Sequence, residues 1–264
     1  MPGKLEGKVA VVTGGSRGLG AAIGETFARE GAKVVLAART WEPHPKIGGT
    51  LQQAAARITA AGGTALPVVC NIANEADIQN LAKTALAAFG GVDILVNPAA
   101  ANMQGSMTAS SVQRWDVLMN VNLRAFYVLV TAFLDSMKGR GGGHIISVSP
   151  RADRMAGGGS FPGPYAFSKE SCTRLALLFA DELRQHGIAV NCLWPDGTRR
   201  TEGMIAMRGP RMPDALSPQL FADAALAIVT KDPKEYTGRT LLDTEALREA
   251  GVTDLGRYRV EEGA

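Results

Sequence analysis

Short apolar segments rich in β-branched residues alternate along the chain with longer segments of helical periodicity. The apolar segments lack the strict polar alternation of a half-exposed sheet, so we expect helices to cover both faces. Strands are predicted at residues 8–13, 33–38, 65–70, 93–97, 144–149, 188–194 and 239–243. Helices are predicted near residues 18–30, 49–61, 75–89, 111–137, 164–186 and 217–230.

This alternation of strands and helices predicts right-handed βαβ units and a parallel, doubly wound α/β sheet. No linker or internal repeat divides the chain. We therefore predict one domain over residues 1–264, with a core at about 8–243 and a C-terminal tail at 244–264. Two long segments rich in Gly and Pro, 150–163 and 195–217, follow predicted strands at the edge where such sheets bind ligands, and the second is the predicted substrate loop.

The first predicted strand is followed by TGGSRGLG at residues 13–20, which opens a helix. Gly14, Gly18 and Gly20 allow backbone N–H groups to approach a pyrophosphate at the helix N-terminus, where the helix dipole favours anions. A glycine-rich turn that binds nothing is the alternative. The position in the first βαβ unit favours dinucleotide binding.

The end of the second predicted strand distinguishes between the two nicotinamide dinucleotides. An NAD site has an acidic residue there for the ribose hydroxyls, whereas this strand ends with Arg39. Arg17 lies within the glycine loop, and guanidinium groups suit a 2′-phosphate. We therefore predict NADP(H), with His44 and Lys46 as further cations. Solvated surface arginines are the alternative.

The segment PYAFSK places Tyr165 four positions before Lys169, so that the two side chains share one helix face. An ordinary surface pair is the alternative. A free phenol titrates near 10, and about 4 kcal/mol of preferential phenolate stabilisation would bring its pKa to about 7. An ammonium group and a cationic nicotinamide can supply that stabilisation in a low-dielectric cleft.

With TGGSRGLG, VNL at 121–123 and YAFSK in this order, the chain resembles the short-chain dehydrogenase/reductase family over about residues 8–243. The resemblance implies a single-domain Rossmann fold and an Asn/Ser/Tyr/Lys catalytic set. Tyr165 would exchange a proton with the substrate oxygen, and Lys169 would hold the nicotinamide ribose and lower the pKa of the tyrosine. Asn122 would anchor a water in a proton relay behind the lysine, with a buried asparagine that bonds local backbone as the alternative.

The serine of this set departs from the family's pattern. The family usually ends the fifth strand with two serines and uses the second, whereas this strand ends SVSP, with Pro150 in the usual catalytic place. Proline has no donor for a substrate oxygen. Either Ser149 takes the role or the site works without that donor, and we favour Ser149.

The same resemblance assigns further cofactor contacts to segments that follow several strands. Asn71 stands where an adenine-binding aspartate is usual, and Ala100 adds a Cβ near the adenosine ribose. Thr198 and Thr201 are candidates for the nicotinamide carboxamide and the diphosphate. The remaining assigned residues, besides the glycines and cations named above, are Ser16, Leu19, Ile72, Asn97, Ala99 and Pro195.

Within the family, AARTWEPHPK, DILVNPAA and VNCLWP are most similar to hydroxysteroid-dehydrogenase-like members that carry an appended sterol-carrier domain. The chain stops about twenty residues after its last predicted strand. We therefore expect that this appended domain is absent.

Composition and charge narrow the choice of partners and compartment. A net charge of +3 gives no reason to expect a nucleic-acid partner. Three widely spaced cysteines without CxxC spacing indicate reduced thiols and no metal site. We find no apolar run of transmembrane length and no C-terminal sorting signal, so we expect a cytoplasmic protein without a membrane partner.

The predicted activity is NADP(H)-dependent interconversion of a carbonyl and a secondary alcohol, on a small molecule that is apolar or lipid-like. Methionines and aromatic residues in and near the two long segments suggest an adaptable apolar pocket, with packing as the alternative. These residues are Met155, Phe161, Trp194, Met204, Met207 and Met212.

Two other functions stay open. One is reduction of an enoyl-type double bond with the same hydride geometry. The other is a weakly catalytic NADP(H)-binding sensor or scaffold, which Pro150 and Asp196 would support. By resemblance, the predicted helices at 111–137 and 164–186 would form a homodimer or homotetramer.

Overall fold

The computed structural model describes residues 2–43, 45, 47–103, 105–151 and 163–260. Seven strands form one sheet in the order β3-β2-β1-β4-β5-β6-β7, and all neighbouring strands are parallel. This confirms the predicted Rossmann architecture. The strands are β1 (Val9–Thr13), β2 (Lys33–Ala38), β3 (Thr64–Val69), β4 (Ile94–Asn97), β5 (Gly143–Val148), β6 (Ile188–Trp194) and β7 (Thr240–Leu242).

Helices connect the strands and cover both faces of the sheet. Those at or near predicted positions are α1 (Gly18–Arg29), α2 (Leu51–Ala60), α3 (Glu75–Phe89), α4 (Val112–Leu118), α5 (Ala125–Gly139), α6 (Pro164–Leu183) and α8 (Pro218–Val229). A π-helical turn, Met119–Arg124, joins α4 to α5, so the helix predicted at 111–137 is continuous from Val112 to Gly139. Two further helices, α7 (Glu202–Arg208) and α9 (Asp243–Glu249), lie in the predicted substrate loop and tail.

The core consists of two apolar layers, one on each face of the sheet. Because side chains alternate along a strand, Val34 and Leu36 of β2 enter one layer, and Val35 and Ala37 enter the other. Helices α1, α2, α8 and α9 cover the first layer, and α3, α5 and α6 cover the second. The strands are continuously apolar because both faces are buried.

The predicted tail is part of the packed fold over its described residues, 244–260. Ala246 and Leu247 of α9 are buried in the first apolar layer. Tyr258 is also buried, and its hydroxyl donates to the Asp223 carboxylate at 2.6 Å. The Tyr258 carbonyl accepts from the Ser217 N–H at 2.8 Å, which connects the end of the chain to the start of α8.

The expectation that no segment reaches transmembrane length is wrong for the helical segment Val112–Gly139. With 28 residues, this segment is long and apolar enough to cross a membrane by length and composition alone. Phe126, Leu129 and Phe133 within it are buried against the sheet. Core helices of folded domains pass the same test, so this property by itself does not indicate a membrane span.

His144 on β5 makes the stability of the fold sensitive to acid. Its Nε2 lies 3.1 Å from the Lys231 carbonyl and donates to it, while Nδ1 is buried without a partner among the described residues. Burial lowers the pKa of His144 to about 4, because a charged imidazolium would lose its hydration. The folded state therefore resists protonation more than the unfolded chain, whose histidine titrates near 6.5.

We expect the free energy of unfolding to fall by up to about 3 kcal/mol as the pH is lowered from about 6.5 to about 4. The unfolded chain takes up the proton in this range, whereas the folded chain does not. Urea denaturation at several pH values measures this slope. In His144→Gln, which keeps a donor for the Lys231 carbonyl, the slope over the same range should be smaller. Equal slopes in both proteins would contradict the prediction.

Candidate active site

At several positions of the glycine loop after β1, only glycine fits the conformation and surroundings of the backbone. Gly14 and Gly18 have φ values of 61° and 56°, in the left-handed region. A Cβ on Gly20 would lie 2.3 Å from the Gly14 carbonyl oxygen. The motif therefore forms a tight turn that directs the first N–H groups of α1 toward the carboxyl edge of the sheet, as an anion site requires.

The ends of β1 and β4 are joined next to this loop. The Thr13 hydroxyl donates to the Asn97 side-chain oxygen at 2.6 Å and accepts from the Ala99 N–H at 3.2 Å. Asn97 is buried, so its amide holds the two strand ends together. Ala99 lies against Gly14, where a Cβ on the glycine would be 3.2 Å from the Ala99 Cα. Ser16 of the glycine loop is buried as well.

Two guanidinium groups lie at the end of β2, as expected for a 2′-phosphate site. Arg17 donates to the carbonyls of Ile47 and Gly49, at 3.3 and 2.9 Å, and so holds the loop that follows β2. Arg39 is exposed and makes no hydrogen bond or ion pair with a described residue. Burial lowers the pKa of Arg17, and the Glu202 carboxylate opposes this effect. The Arg39 guanidinium lowers the pKa of Arg17 further, because the two positive charges are close enough to repel each other.

The remaining predicted residues of the adenosine end occupy the same edge of the sheet. Asn71, after β3, is exposed, and its side-chain oxygen accepts from the Ala73 N–H at 3.2 Å. Ile72 is buried in the second apolar layer. His44 and Lys46 lie outside the described residues.

A cavity of about 410 Å³ opens beside the glycine loop, at the carboxyl ends of the strands. Its walls bring together segments that are far apart in the sequence, among them the loop after β4, the start of α6 and the segment after β6. The residues that line it are Leu19, Pro98, Ala100, Asn102, Val148, Pro150, Tyr165, Ala166, Lys169, Glu170, Trp194, Pro195, Asp196, Gly197, Thr198, Arg199, Thr201, Met204, Met207 and Arg208.

Tyr165 and Lys169 both face this cavity from the first turns of α6. Their side chains are almost fully buried, and the Lys169 ammonium lies 5.9 Å from the centre of the Trp194 ring. Burial lowers the pKa of Lys169 and raises that of Tyr165 to about 12. The expected lowering of the tyrosine pKa is thus reversed in the protein alone, because desolvation is the largest contribution.

Asn122 connects α6 to the loop after β4. Its amide accepts from the Ala101 N–H at 2.8 Å and donates to the Ala101 carbonyl at 3.0 Å. The same amide donates to the Ser168 hydroxyl at 2.9 Å, and Ser168 donates to the Tyr165 carbonyl at 2.7 Å. The Asn122 backbone carbonyl accepts from the Cys172 thiol at 3.0 Å. The side chain therefore positions the first turn of α6 through Ser168, while its water-anchoring role stays a prediction.

The structure does not bring Ser149 to the cavity. Its side chain is fully buried and donates to the Ser147 hydroxyl at 3.1 Å. Because side chains alternate along a strand, Val148 and Pro150 face the cavity and Ser149 faces the opposite side. Pro150 is held there by the Thr173 hydroxyl, which donates to its carbonyl at 2.7 Å. The expected contact between Ser149 and the substrate is therefore absent from this geometry.

A buried ion pair that the sequence patterns did not predict fixes the segment after β6. Arg199 donates to the Asp243 carboxylate at 2.6 and 2.9 Å, and both side chains are almost fully buried. Asp243 also accepts from the Asp196 N–H at 2.9 Å. The Asp196 carboxylate in turn accepts from the Thr244 hydroxyl at 2.9 Å. Asp196 thus has a structural role, which weakens the support it offered for a non-catalytic protein.

The predicted apolar pocket is present in part. Trp194, Met204 and Met207 line the cavity, whereas Met212 does not line it. Met155 and Phe161 lie outside the described residues. Glu170 and Arg208, which the sequence reading did not select, are charged residues among the lining, so the wall is not uniformly apolar.

The three cysteines, Cys70, Cys172 and Cys192, are free and buried, as predicted for reduced thiols. Burial raises the pKa of Cys70 to about 12 and of Cys192 to about 11, so both stay protonated at neutral pH. Over the part of the chain that the structure describes, no group of three or more His, Cys, Asp or Glu side chains could hold a metal ion.

A comparison of this chain with known protein families agrees with the arrangement of the glycine loop, the cavity and the Tyr165–Lys169 pair. The profile of the short chain dehydrogenase family matches residues 8–209. The chain belongs to the short chain dehydrogenases. This membership confirms the resemblance inferred from the sequence motifs.

Relatives of this short chain dehydrogenase include longer proteins. Hydroxysteroid dehydrogenase-like protein 2 of Xenopus laevis is 37% identical over 262 residues, a match that covers 99% of this chain and 62% of that protein. The chain thus spans less than two thirds of that relative's length. The predicted similarity to hydroxysteroid-dehydrogenase-like members is confirmed.

Solved structures agree with the fold. A short chain dehydrogenase of Mycobacterium thermoresistibile superimposes with a TM-score of 0.90 at 38% identity, covering 98% of this chain and 93% of that one. A metagenomic short-chain oxidoreductase in complex with NADP has a TM-score of 0.76 and 33% identity, covering 90% of this chain and 97% of that one.

The position of Ser149 leads to a prediction that separates this short chain dehydrogenase from the usual pattern. Ser149→Ala should change kcat/KM by less than about threefold, because among the described residues the hydroxyl donates to Ser147 within the sheet and does not reach the cavity. Steady-state kinetics with the best available substrate measures the effect. A loss of about a hundredfold or more, the cost of removing an oxyanion donor, would show that Ser149 turns toward the substrate.

Proposed function

We propose that the protein is an NADP(H)-dependent oxidoreductase that interconverts a carbonyl and a secondary alcohol. The observation that carries the proposal is the pairing of Tyr165 and Lys169 on one cavity wall, beside the glycine loop. A phenol and an ammonium at the carboxyl edge of a Rossmann sheet can act on an oxygen placed between them and a bound dinucleotide.

Three observations support NADP(H) over NAD(H). β2 ends without a carboxylate for the ribose hydroxyls, which an NAD site needs. Arg39 is exposed without a partner among the described residues, and Arg17 is close enough for their charges to interact. A 2′-phosphate would relieve the repulsion between the two guanidinium groups. In addition, a structural neighbour at 33% identity is a complex with NADP.

In the direction of reduction, Tyr165 supplies the proton. Burial keeps the phenol protonated at neutral pH, since its pKa is raised to about 12, so the donor is ready when negative charge develops on the substrate oxygen. When bound, a reduced nicotinamide supplies the hydride. The Lys169 ammonium, in a site with little water, would stabilise the phenolate that remains.

The cavity supports a substrate with an apolar body. Val148, Pro150, Trp194, Met204 and Met207 contribute apolar surface around the tyrosine. Pro150 offers no hydrogen-bond donor at the position of the family's usual serine, so Tyr165 would act on the substrate oxygen without that partner. We infer that the enzyme works without the family's usual serine and depends more heavily on the phenol.

The test is a turnover assay on a panel of apolar ketones and enoyl thioesters with NADPH. The decrease in NADPH absorbance measures each rate. We expect turnover of ketones at rates that exceed those of the thioesters. Turnover of enoyl thioesters alone would favour a double-bond reductase. Tight binding of NADPH without turnover of any compound, unchanged in Tyr165→Phe, would favour a sensor.

An exposed apolar face on α5 and α6 supports a homo-oligomer. Tyr127, Phe167 and Leu178 are each about half exposed, and Trp115 of α4 stacks on Phe167 with ring centres 5.3 Å apart. We propose that a second copy of the chain covers this face, because large apolar side chains grouped on one surface mark interfaces. Sedimentation should give a dimer or tetramer, and Leu178→Glu should shift it toward the monomer. A monomeric wild type would contradict the proposal.

A further inference from the structure

Glu202, the first residue of α7, reaches the glycine loop from the predicted substrate loop. Its carboxylate accepts from the backbone N–H of Gly18 at 2.9 Å. Gly18 is the first residue of α1, and the first turn of α1 contains no acidic residue of its own. The carboxylate therefore supplies the negative charge that the N-terminus of this helix favours.

The carboxylate and a dinucleotide would compete for the same donor. The glycine loop brings backbone N–H groups to the carboxyl edge, where a diphosphate would bind. A backbone N–H that donates to a carboxylate at 2.9 Å has no hydrogen left for a phosphate oxygen. Two anions at one helix N-terminus would also repel each other.

Glu202 is joined to the substrate cavity through its helix. Thr201 caps α7, with its hydroxyl accepting from the Met204 N–H at 3.3 Å. The same threonine packs on the glycine loop, since a Cβ on Gly18 would lie 3.2 Å from the Thr201 Cβ. Met204, Met207 and Arg208 of α7 line the cavity that contains Tyr165. A displacement of Glu202 would therefore move the part of the cavity wall that α7 forms.

We propose that Glu202 is an internal competitor for the diphosphate position, so that cofactor binding displaces its carboxylate and releases α7 from the glycine loop. The inference rests on the proposed dinucleotide site and adds a residue that sets its affinity. It explains why an acidic side chain lies at an anion site. It also couples binding of the cofactor to the position of α7 in the cavity wall.

The experiment is a fluorescence titration of wild type, Glu202→Gln and Glu202→Ala with NADPH and with NADH. Removal of the charge should lower the Kd by about tenfold, the scale of one charged hydrogen bond. Both nucleotides carry the diphosphate, so both affinities should rise by a similar factor. A gain confined to NADPH would place the effect at the 2′-phosphate through Arg17 and would overturn the inference.

Glu235→Gln is the matched control, because it removes the same charge from an exposed residue before β7, at the opposite edge of the sheet. Its Kd should equal that of wild type. An unchanged or higher Kd in both Glu202 variants would overturn the inference and leave the proposed function intact. Failure of wild type and variants to bind either nucleotide would contradict the proposed function as well.

Amide hydrogen exchange of α7 tests the coupling separately. The backbone amides of Met204–Arg208 should exchange faster in Glu202→Gln than in wild type, because the connection to Gly18 is weakened. Exchange in α8 should be unchanged, which controls for general destabilisation. Equal exchange in α7 for the two proteins would show that Glu202 does not hold the helix.

Discussion

Replacement of Tyr165 with phenylalanine should lower kcat for carbonyl reduction by about a thousandfold, within the range of general acid catalysis. The phenol faces the cavity, and neither Ser149, which faces away from it, nor Pro150, which has no donor, can take its place. Loss of one oxygen atom leaves the ring and the packing of α6 in place. The Kd for NADPH should therefore stay within roughly threefold of wild type.

Tyr236→Phe is the matched control for this substitution. Its hydroxyl donates to the Glu249 carboxylate at 2.6 Å, so it also loses a hydrogen bond, but it lies outside the cavity. Its kcat should remain near that of wild type. If Tyr165→Phe retained a tenth or more of the wild-type kcat, the assignment of Tyr165 as the general acid would be wrong.

Arg39→Asp should lower the ratio of kcat/KM for NADPH to that for NADH by about a hundredfold. A charge-assisted bond to the 2′-phosphate contributes about 1.5–3 kcal/mol, and an aspartate in its place would repel the phosphate and accept from the ribose hydroxyls. Arg17 is a weaker target, because its guanidinium is engaged with the carbonyls of Ile47 and Gly49. Steady-state kinetics with both nucleotides measures the ratio.

Arg29→Asp provides the control for the change in charge. Arg29 is exposed in the last turn of α1, at the opposite end of the helix from the glycine loop. Its substitution should affect both nucleotides equally and leave the ratio unchanged. An unchanged ratio in Arg39→Asp would remove the main support for NADP(H).

Local patterns were sufficient to predict the sheet and the shared placement of Tyr165 and Lys169. Continuous apolar runs identify strands that are buried on both faces, as Val34 and Val35 show. The spacing of Tyr165 and Lys169 is a helix property, and both residues reach the cavity as predicted. Gly14 and Gly18 are glycines for a backbone reason that a motif can encode.

Other features depend on contacts that local patterns do not contain. The direction of the Ser149 side chain continues the alternation of β5, which ends one residue before it. A shift of one residue along the strand would turn this side chain to the other face of the sheet. Glu202 lies 184 positions from Gly18, and Arg199 lies 44 positions from Asp243. Only the folded chain brings these pairs together.

The pKa of Tyr165 shows how burial can reverse an expectation from neighbouring charge. Reasoning from the sequence weighed the Lys169 ammonium and a cationic nicotinamide, which both stabilise the phenolate. In the folded chain, removal of the phenol from water is the larger effect and raises the pKa to about 12. The protein alone therefore holds the proton, which suits the reductive direction.

The most direct test of the central claim is deuterium transfer from NADPH that is deuterated at both C4 positions of the nicotinamide. After incubation with wild type and an apolar ketone, mass spectrometry should locate one deuterium on the carbinol carbon of the product. Tyr165→Phe should transfer about a thousandfold less in the same time. If the wild type binds NADPH but transfers no deuterium to the carbonyl carbon of any ketone, the protein is not the carbonyl reductase proposed.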